Sequence, residues 1–280
     1  MCYLIQDLMY FNFRICIYLS GGIMNFYVGD YVTRNSYNND TIFKIVEIKN
    51  EKVMLKGVDI RLYADSNIED LVKCEYKLDD ESFLKKINIK ENMDRCEYFY
   101  LPAKILHIDG DKDYLERCMN FYKKANLFAI GEHLNENDVH ITIQKLLNKY
   151  NPDILIITGH DFVNKQKDIN DINNYKNSKN FQKAVFQARE YEKSHEKLVV
   201  IAGACQSDYE ALIKAGANFA SSPKRINIHA LDPAIIAVTL ALTERGTEIN
   251  LLELLDKTKY GKDGIGGLKS NGMMYVGYPR

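Results

Sequence analysis

A chain of 280 residues, 46% of them apolar, can bury a full core and has room for one α/β domain plus a smaller one. Its 37 Lys and Arg against 38 Asp and Glu leave a formal net charge of −1, so no global field favours nucleic acid or an anionic membrane, and neither partner is expected. The six cysteines, Cys2, Cys16, Cys74, Cys96, Cys118 and Cys205, form no CxxC pair. That pattern argues against a zinc site or a disulfide framework and for a reducing compartment, so no metal and no cofactor is expected.

Residues 1–23 differ in character from the rest of the chain. Phe11–Leu19 is apolar, but Arg14 interrupts it and no cationic region precedes it, so the run fits neither a signal peptide nor a bilayer span. Met24 reads as a domain start, so residues 1–23 are expected to be an upstream extension of the reading frame, with a short membrane-targeting segment as the alternative. From Phe26 to about Leu62, short strand-like pieces separated by Asn/Asp/Gly turns predict a small β-barrel over residues 24–64. Its basic residues Arg34, Lys44, Lys49, Lys52, Lys56 and Arg61 are interleaved with acids, which favours an appendage that positions a substrate or partner over an RNA-binding module. Residues 65–100, with the charged run Asp79–Lys90, read as a linker with some helix.

From Leu101 strand and helix patterns alternate. Ala103–Ile108 reads as a buried strand, Asp111–Ala125 as a helix, Leu127–Ile130 as a strand and Asn137–Tyr150 as a helix. Asn151-Pro152 ends that helix and introduces the strand run DILIITGHD. A polar loop over Asn164–Asn180, a helix over Phe181–Tyr191 and the strand run LVVIAGACQS follow. Tyr209–Ala215 reads as a short helix closed by Gly216, and Pro233 starts an apolar helix to about Thr243. The repeated order predicts, over residues 101–258, a mostly parallel, flavodoxin-like sheet with helices on both faces. Asn250–Thr258 is helical, and the glycine-rich tail, residues 259–280, is expected to be mobile or bound in extended form.

The strand runs DILIITGHD and LVVIAGACQS each stop at small residues and then present one reactive side chain, His160 or Cys205. Functional groups of an open α/β sheet sit beyond the carboxyl ends of its strands, and the spacing fits one βαβ unit, so both side chains would reach one rim. Cys205, at the start of a helix, would have its thiol pKa lowered by the helix N-terminus, and its N–H would face a developing oxyanion. His160 would act as general acid and base, since an imidazole titrates near neutral pH. The bland alternative for Cys205 is a buried apolar cysteine. His107 and His229 compete with His160, although His229 reads better as a cap of the turn HALDP, and His133, His140 and His195 stand in poorer contexts.

DILIITGHD, YKNSKNF, LVVIAGACQS, AGANFASSPKRINIHALDP and KDGIGG together resemble the YabG sporulation-specific protease family, over about Met24 to Arg280. More distantly, the paired strand ends resemble the caspase, legumain and gingipain group, where His ends one strand and Ala-Cys the next, as Ala204-Cys205 does here. In that group a Gly follows the His, whereas here Gly159 precedes His160, so the Asp161 N–H is the first candidate for a second oxyanion donor. The resemblance implies a caspase-like fold and a cysteine endopeptidase of the sporulating mother cell. Its implied place is the forming coat, and its implied substrates are spore coat and morphogenetic proteins. It also implies cleavage after a basic residue, which needs a carboxylate in the specificity pocket: Asp109 or Asp111 in HIDGD first, Asp232 second. HIDGD reads equally as a turn and helix N-cap. Two rivals remain. One is a haloacid-dehalogenase-type phosphatase with Asp109 as nucleophile and Asp111 as acid/base; the other is a non-enzymatic scaffold.

Overall fold

The computed structural model describes residues 26–49, 52–87 and 98–277; the proposed extension at residues 1–23 and part of the charged run Asp79–Lys90 lie outside them. The chain divides into two compact units, one comprising residues up to Val58 with Tyr63–Asp79, the other comprising Asp59–Leu62 with Asp80 onward.

In the first unit β1 (Tyr31–Arg34), β2 (Phe43–Lys49), β3 (Lys52–Gly57), β4 (Tyr63–Asn67) and β5 (Leu71–Lys73) form an antiparallel sheet in the order β4-β3-β2-β1-β5. Alternation drives its centre: Phe43 and Ile45 of β2 and Val53 and Leu55 of β3 are buried while the residues between them are more exposed, and β1 adds the buried Val32 and Thr33. A register shift between Ile45 and Glu47 breaks the alternation of β2. The expected barrel is thus, among the described residues, a sheet with β4 and β5 at its ends. The expected linker is corrected at its start, because residues 65–73 contribute β4 and β5. The polar run YADSN carries no apolar alternation; cross-strand pairing with β3, not its own pattern, makes it a strand.

The second unit begins with Asp59–Leu62 and resumes with α1 (Glu81–Ile87) and β6 (Phe99–Leu101). It then alternates through β7 (Ile105–Asp109), α2 (Lys112–Lys124), β8 (Ala129–His133), α3 (Glu136–Tyr150), β9 (Ile154–Thr158), α4 (Ser178–Tyr191), β10 (Val199–Ala202), α5 (Tyr209–Lys214) and β11 (Phe219–Ser221). The helices α6 (Asp232–Leu242) and α7 (Leu251–Asp256) and the strands β12 (Ile265–Gly267) and β13 (Tyr275–Gly277) complete it. The main sheet runs β12-β11-β10-β9-β7-β8, parallel throughout except for β12.

Every residue of β7, β9 and β10 is buried, which explains why these strands read as continuous apolar runs: both faces are covered. On one face Ile105, Ile154, Ile156, Val199 and Ile201 pack with α2, α6 and α7; on the other Leu106, Leu155, Ile157 and Val200 pack with α3, α4 and α5. The sheet is therefore mixed and mostly parallel, with helices on both faces as expected. In chain order the five parallel strands are arranged 2-1-3-4-5, so successive connections leave β7 in opposite directions. In open sheets of this order ligands bind at such a reversal, beyond the carboxyl ends of the strands, here β7 and β9. Of the two fates expected for the tail, the second is observed: β12 pairs with β11, and β13 with β6.

Candidate active site

An Asp–His pair stands at this rim. The register pairs Asp109 with Thr158, and the same offset carried past the strand ends puts Asp111 beside His160; on the other side Ile157 pairs with Ala202, and Cys205 follows three residues after β10 ends. Asp111 is the N-cap of α2: its Oδ1 accepts from the Asp113 and Tyr114 N–H groups, while its Oδ2 lies 3.0 Å from His160 Nε2. The Tyr114 ring lies 5.9 Å from that imidazole, tilted by 58°. Sequence reasoning singled out Asp111 as a pocket carboxylate or N-cap; the cap is observed, and its second oxygen orients His160. This role was legible only from the register of β7 and β9, which no sequence motif announces.

A second residue that sequence reasoning missed is Glu136, the first residue of α3. Its Oε1 accepts from the His160 N–H at 2.7 Å. The carboxylate reaches that position between Gly110 and Gly159, where an added Cβ would meet Glu136 Oε1 at 2.3 and 2.6 Å. The glycines after β7 and β9 were the available signal, because each marks a close approach that a side chain would block.

Cys205 lies farther from a helix than expected. β10 ends at Ala202, Gly203 and Gln206 both take positive φ, and α5 starts at Tyr209 behind the N-cap Asp208. The expectation of a thiol acidified by a helix N-terminus is therefore corrected: burial pushes the Cys205 thiol up to about 12. Its sulfur accepts from the Ile228 N–H at 3.3 Å and from the Arg61 N–H, and packs with Ile60 and Ile228. The adjoining Ala204 N–H is committed to Ser207 Oγ, and the Gln206 N–H to Ile226 O and Ser222 Oγ.

Asp161 holds this turn in place. Its carboxylate accepts from the Phe162 and Asn177 N–H groups and from the hydroxyls of Ser178 and Ser207, linking the end of β9 to the start of α4 and the turn after β10. Burial raises its carboxyl to about 6 against the lowering effect of those hydrogen bonds.

The other pocket candidates are engaged internally. Asp109 is fully buried; Arg61 Nη1 lies 2.6 Å from its Oδ2, the Thr158 hydroxyl donates to it at 2.9 Å and the Asp111 N–H at 2.9 Å. Burial alone would raise its carboxyl, but the Arg61 charge and His107 hold it well below the usual carboxylate range. Because Thr158 gives its proton to Asp109, it accepts from His107 Nε2, and His107 Nδ1 accepts from the Tyr122 hydroxyl. His107 is thus a fully buried link whose pKa burial lowers. Asp232 is buried and accepts from the His229 and Lys259 N–H groups, its carboxyl raised by burial. His229 Nδ1 accepts from the Leu231 N–H, the turn cap read from HALDP. The phosphatase alternative is not favoured, since its nucleophile Asp109 is closed off by Arg61 and its acid/base Asp111 is a helix cap bound to His160.

A doubly wound sheet with an Asp–His pair at its strand ends is compatible with a hydrolase. The chain belongs to the family described as YabG peptidase U57, whose model matches residues 27–279. It is also 40% identical, over 91% of its length and 99% of the relative's, to the Sporulation-specific protease YabG of Bacillus subtilis (strain 168).

Proposed function

We propose that this peptidase is a cysteine endopeptidase of sporulation that processes spore coat and morphogenetic proteins in the mother cell and cleaves after a basic residue. What supports the reading is the Asp111–His160 pair after β7 and β9, 3.0 Å between Oδ2 and Nε2, with Cys205 in the turn that follows the neighbouring parallel strand β10. With Nε2–H donating a hydrogen bond to the Asp111 carboxylate, the imidazole uses Nδ1 as base. It takes the Cys205 proton, the sulfur adds to the scissile carbonyl carbon, and the collapsing tetrahedral species expels the amine, which receives that proton from His160. Water then attacks the thioester, loses a proton to Nδ1, and releases the new carboxyl end while the thiol is restored. The Cys205 and Asp161 N–H groups are the proposed oxyanion donors. The paired strand ends keep the caspase-like comparison as the parent architecture.

The test is hydrolysis of coat proteins and of peptide amides ending in Arg, Lys or Leu. Cys205→Ala and His160→Ala are expected to abolish cleavage while remaining folded, and Arg or Lys amides to be cut at least tenfold faster than Leu. Unchanged fragments from Cys205→Ala would remove the thiol from the mechanism. Equal rates on all three amides would remove the basic preference and, with it, Asp109, Asp111 and Asp232 as pocket candidates.

A further inference from the structure

The segment Asp59–Leu62 interrupts the first unit between β3 and β4 yet belongs by its contacts to the peptidase unit. Its main chain is bound there as a strand would be: Ile60 bridges His229 in antiparallel fashion, the Ala230 N–H donates to Asp59 O at 2.8 Å, and the Tyr114 hydroxyl donates to Ile60 O at 2.8 Å. Arg61 follows Ile60 into the interior with its side chain fully buried. One end of its guanidinium meets Asp109 and the other the Ala230 carbonyl at 3.2 Å; its Nε has no hydrogen-bond partner among the described residues. The Arg61 N–H points at the Cys205 sulfur, and the Ile60 side chain packs on the same residue.

Burying an arginine costs several kcal/mol that one carboxylate recovers only in part, and an apolar side chain would fill a purely structural cavity more stably. The orphaned Nε shows a guanidinium lodged in the site without being saturated by it. A bound substrate would need the same three features: an extended main chain on the rim, a cation on a buried carboxylate, and backbone over the sulfur. The difference is what faces Cys205. An N–H lies there instead of a carbonyl carbon, so this segment presents no bond for attack.

We propose that Asp59–Leu62 is a built-in pseudosubstrate strap: Arg61 occupies on Asp109 the place of a substrate's basic side chain, and Ile60 with the Arg61 main chain covers Cys205. The strap slows the peptidase, and hydrolysis by the unmodified sequence passes through the fraction in which the strap has left. The inference rests on the reading of Cys205 as nucleophile and names the regulation of that site.

The test is iodoacetamide labelling of the full chain, with the rate at Cys205 read by peptide mapping beside hydrolysis of an arginine peptide amide. Ile60→Gly, which keeps the Arg61–Asp109 pair, and Arg61→Ala are each expected to label Cys205 at least tenfold faster than the unmodified sequence and to hydrolyse the amide faster. Ethylguanidinium added to Arg61→Ala should slow hydrolysis again by refilling the Asp109 site. Arg61→Ala leaves Asp109 buried without its counter-charge, so Ile60→Gly decides the matter if that variant does not fold. Unchanged labelling in folded Ile60→Gly overturns the strap and leaves the peptidase reading standing. Faster labelling without hydrolysis by any variant overturns the role given to Cys205 and the slowing by the strap together.

Discussion

At the scale of single residues, Asp111 joins two functions that substitution can separate. One oxygen caps α2 and the other holds His160, so Asp111→Asn keeps a capping side chain but loses the charge that steadies an imidazolium. Asp111→Ala loses both. Asn is expected to leave the melting temperature nearly unchanged and to lower kcat by roughly 10²- to 10⁴-fold. Ala should show a similar loss of kcat and, in addition, a stability loss of about 1 kcal/mol. Steady-state kinetics beside thermal melts distinguish the two, and an Asn variant with full kcat would reduce Asp111 to a helix cap. The buried strands that precede His160 and Cys205 were legible as continuous apolar runs. Glu136 was not, since nothing local to Asn135-Glu136 says that its carboxylate reaches across to the His160 N–H.

Among elements, the turns that carry His160 and Cys205 are joined by Asp161 rather than by either strand. The misplacement of Cys205 at a helix start has the same origin: Gly203 and Gln206 at positive φ, with Ser207 bonded to both Ala204 and Asp161, build a turn whose stabilising partners lie about a βαβ unit away. Strand runs were legible because burial on two faces writes them into composition; the turn depends on contacts that local pattern does not encode. Asp161 also sets a pH dependence. Its folded pKa is raised, so its favourable contribution is fully present below the unfolded value near 4 and is lost as pH rises through about 6. The swing is on the order of 3 kcal/mol. Asp161→Asn mimics the protonated acid, with one oxygen to accept and an amide to donate to the serine oxygens. Denaturant melts of this variant are therefore expected to lack that part of the decline between pH 4 and 6, and to match or exceed the unmodified sequence at pH 7.5. Asp208 and Asp232, also raised by burial, keep their own share of the slope in both proteins. Parallel stability curves for the two proteins would refute this reading of Asp161.

For the whole molecule, the α/β order of residues 101–258 was legible from alternating periods, whereas two long-range insertions were not: Asp59–Leu62 enters the peptidase unit from within the β-sheet unit, and the glycine-rich tail closes the main sheet. Glycine content left two fates open for the tail, and contact distances choose between them. An added Cβ at Gly267 would lie 2.4 Å from Asn218 O, and one at Gly272 2.4 Å from Glu244 O, so these glycines permit the tail to lie against other backbone. Ile265, Met273 and Met274 of the tail are buried in the peptidase unit. Each contributes about 1.5–3 kcal/mol by leaving water, which together is comparable to the whole stability of a domain. Ending the chain at Thr258 would also leave β11 as an unpaired edge beside β10. The shortened chain is expected to lose cooperative unfolding. Gly272→Ala, a milder change, should remain folded but lose at least about 2 kcal/mol, because backbone atoms on both sides must move to admit the methyl group. Calorimetry on the two variants checks this. A truncated chain that melts as sharply as the full one would mean that the tail only decorates the sheet, and the peptidase core would then end with α7.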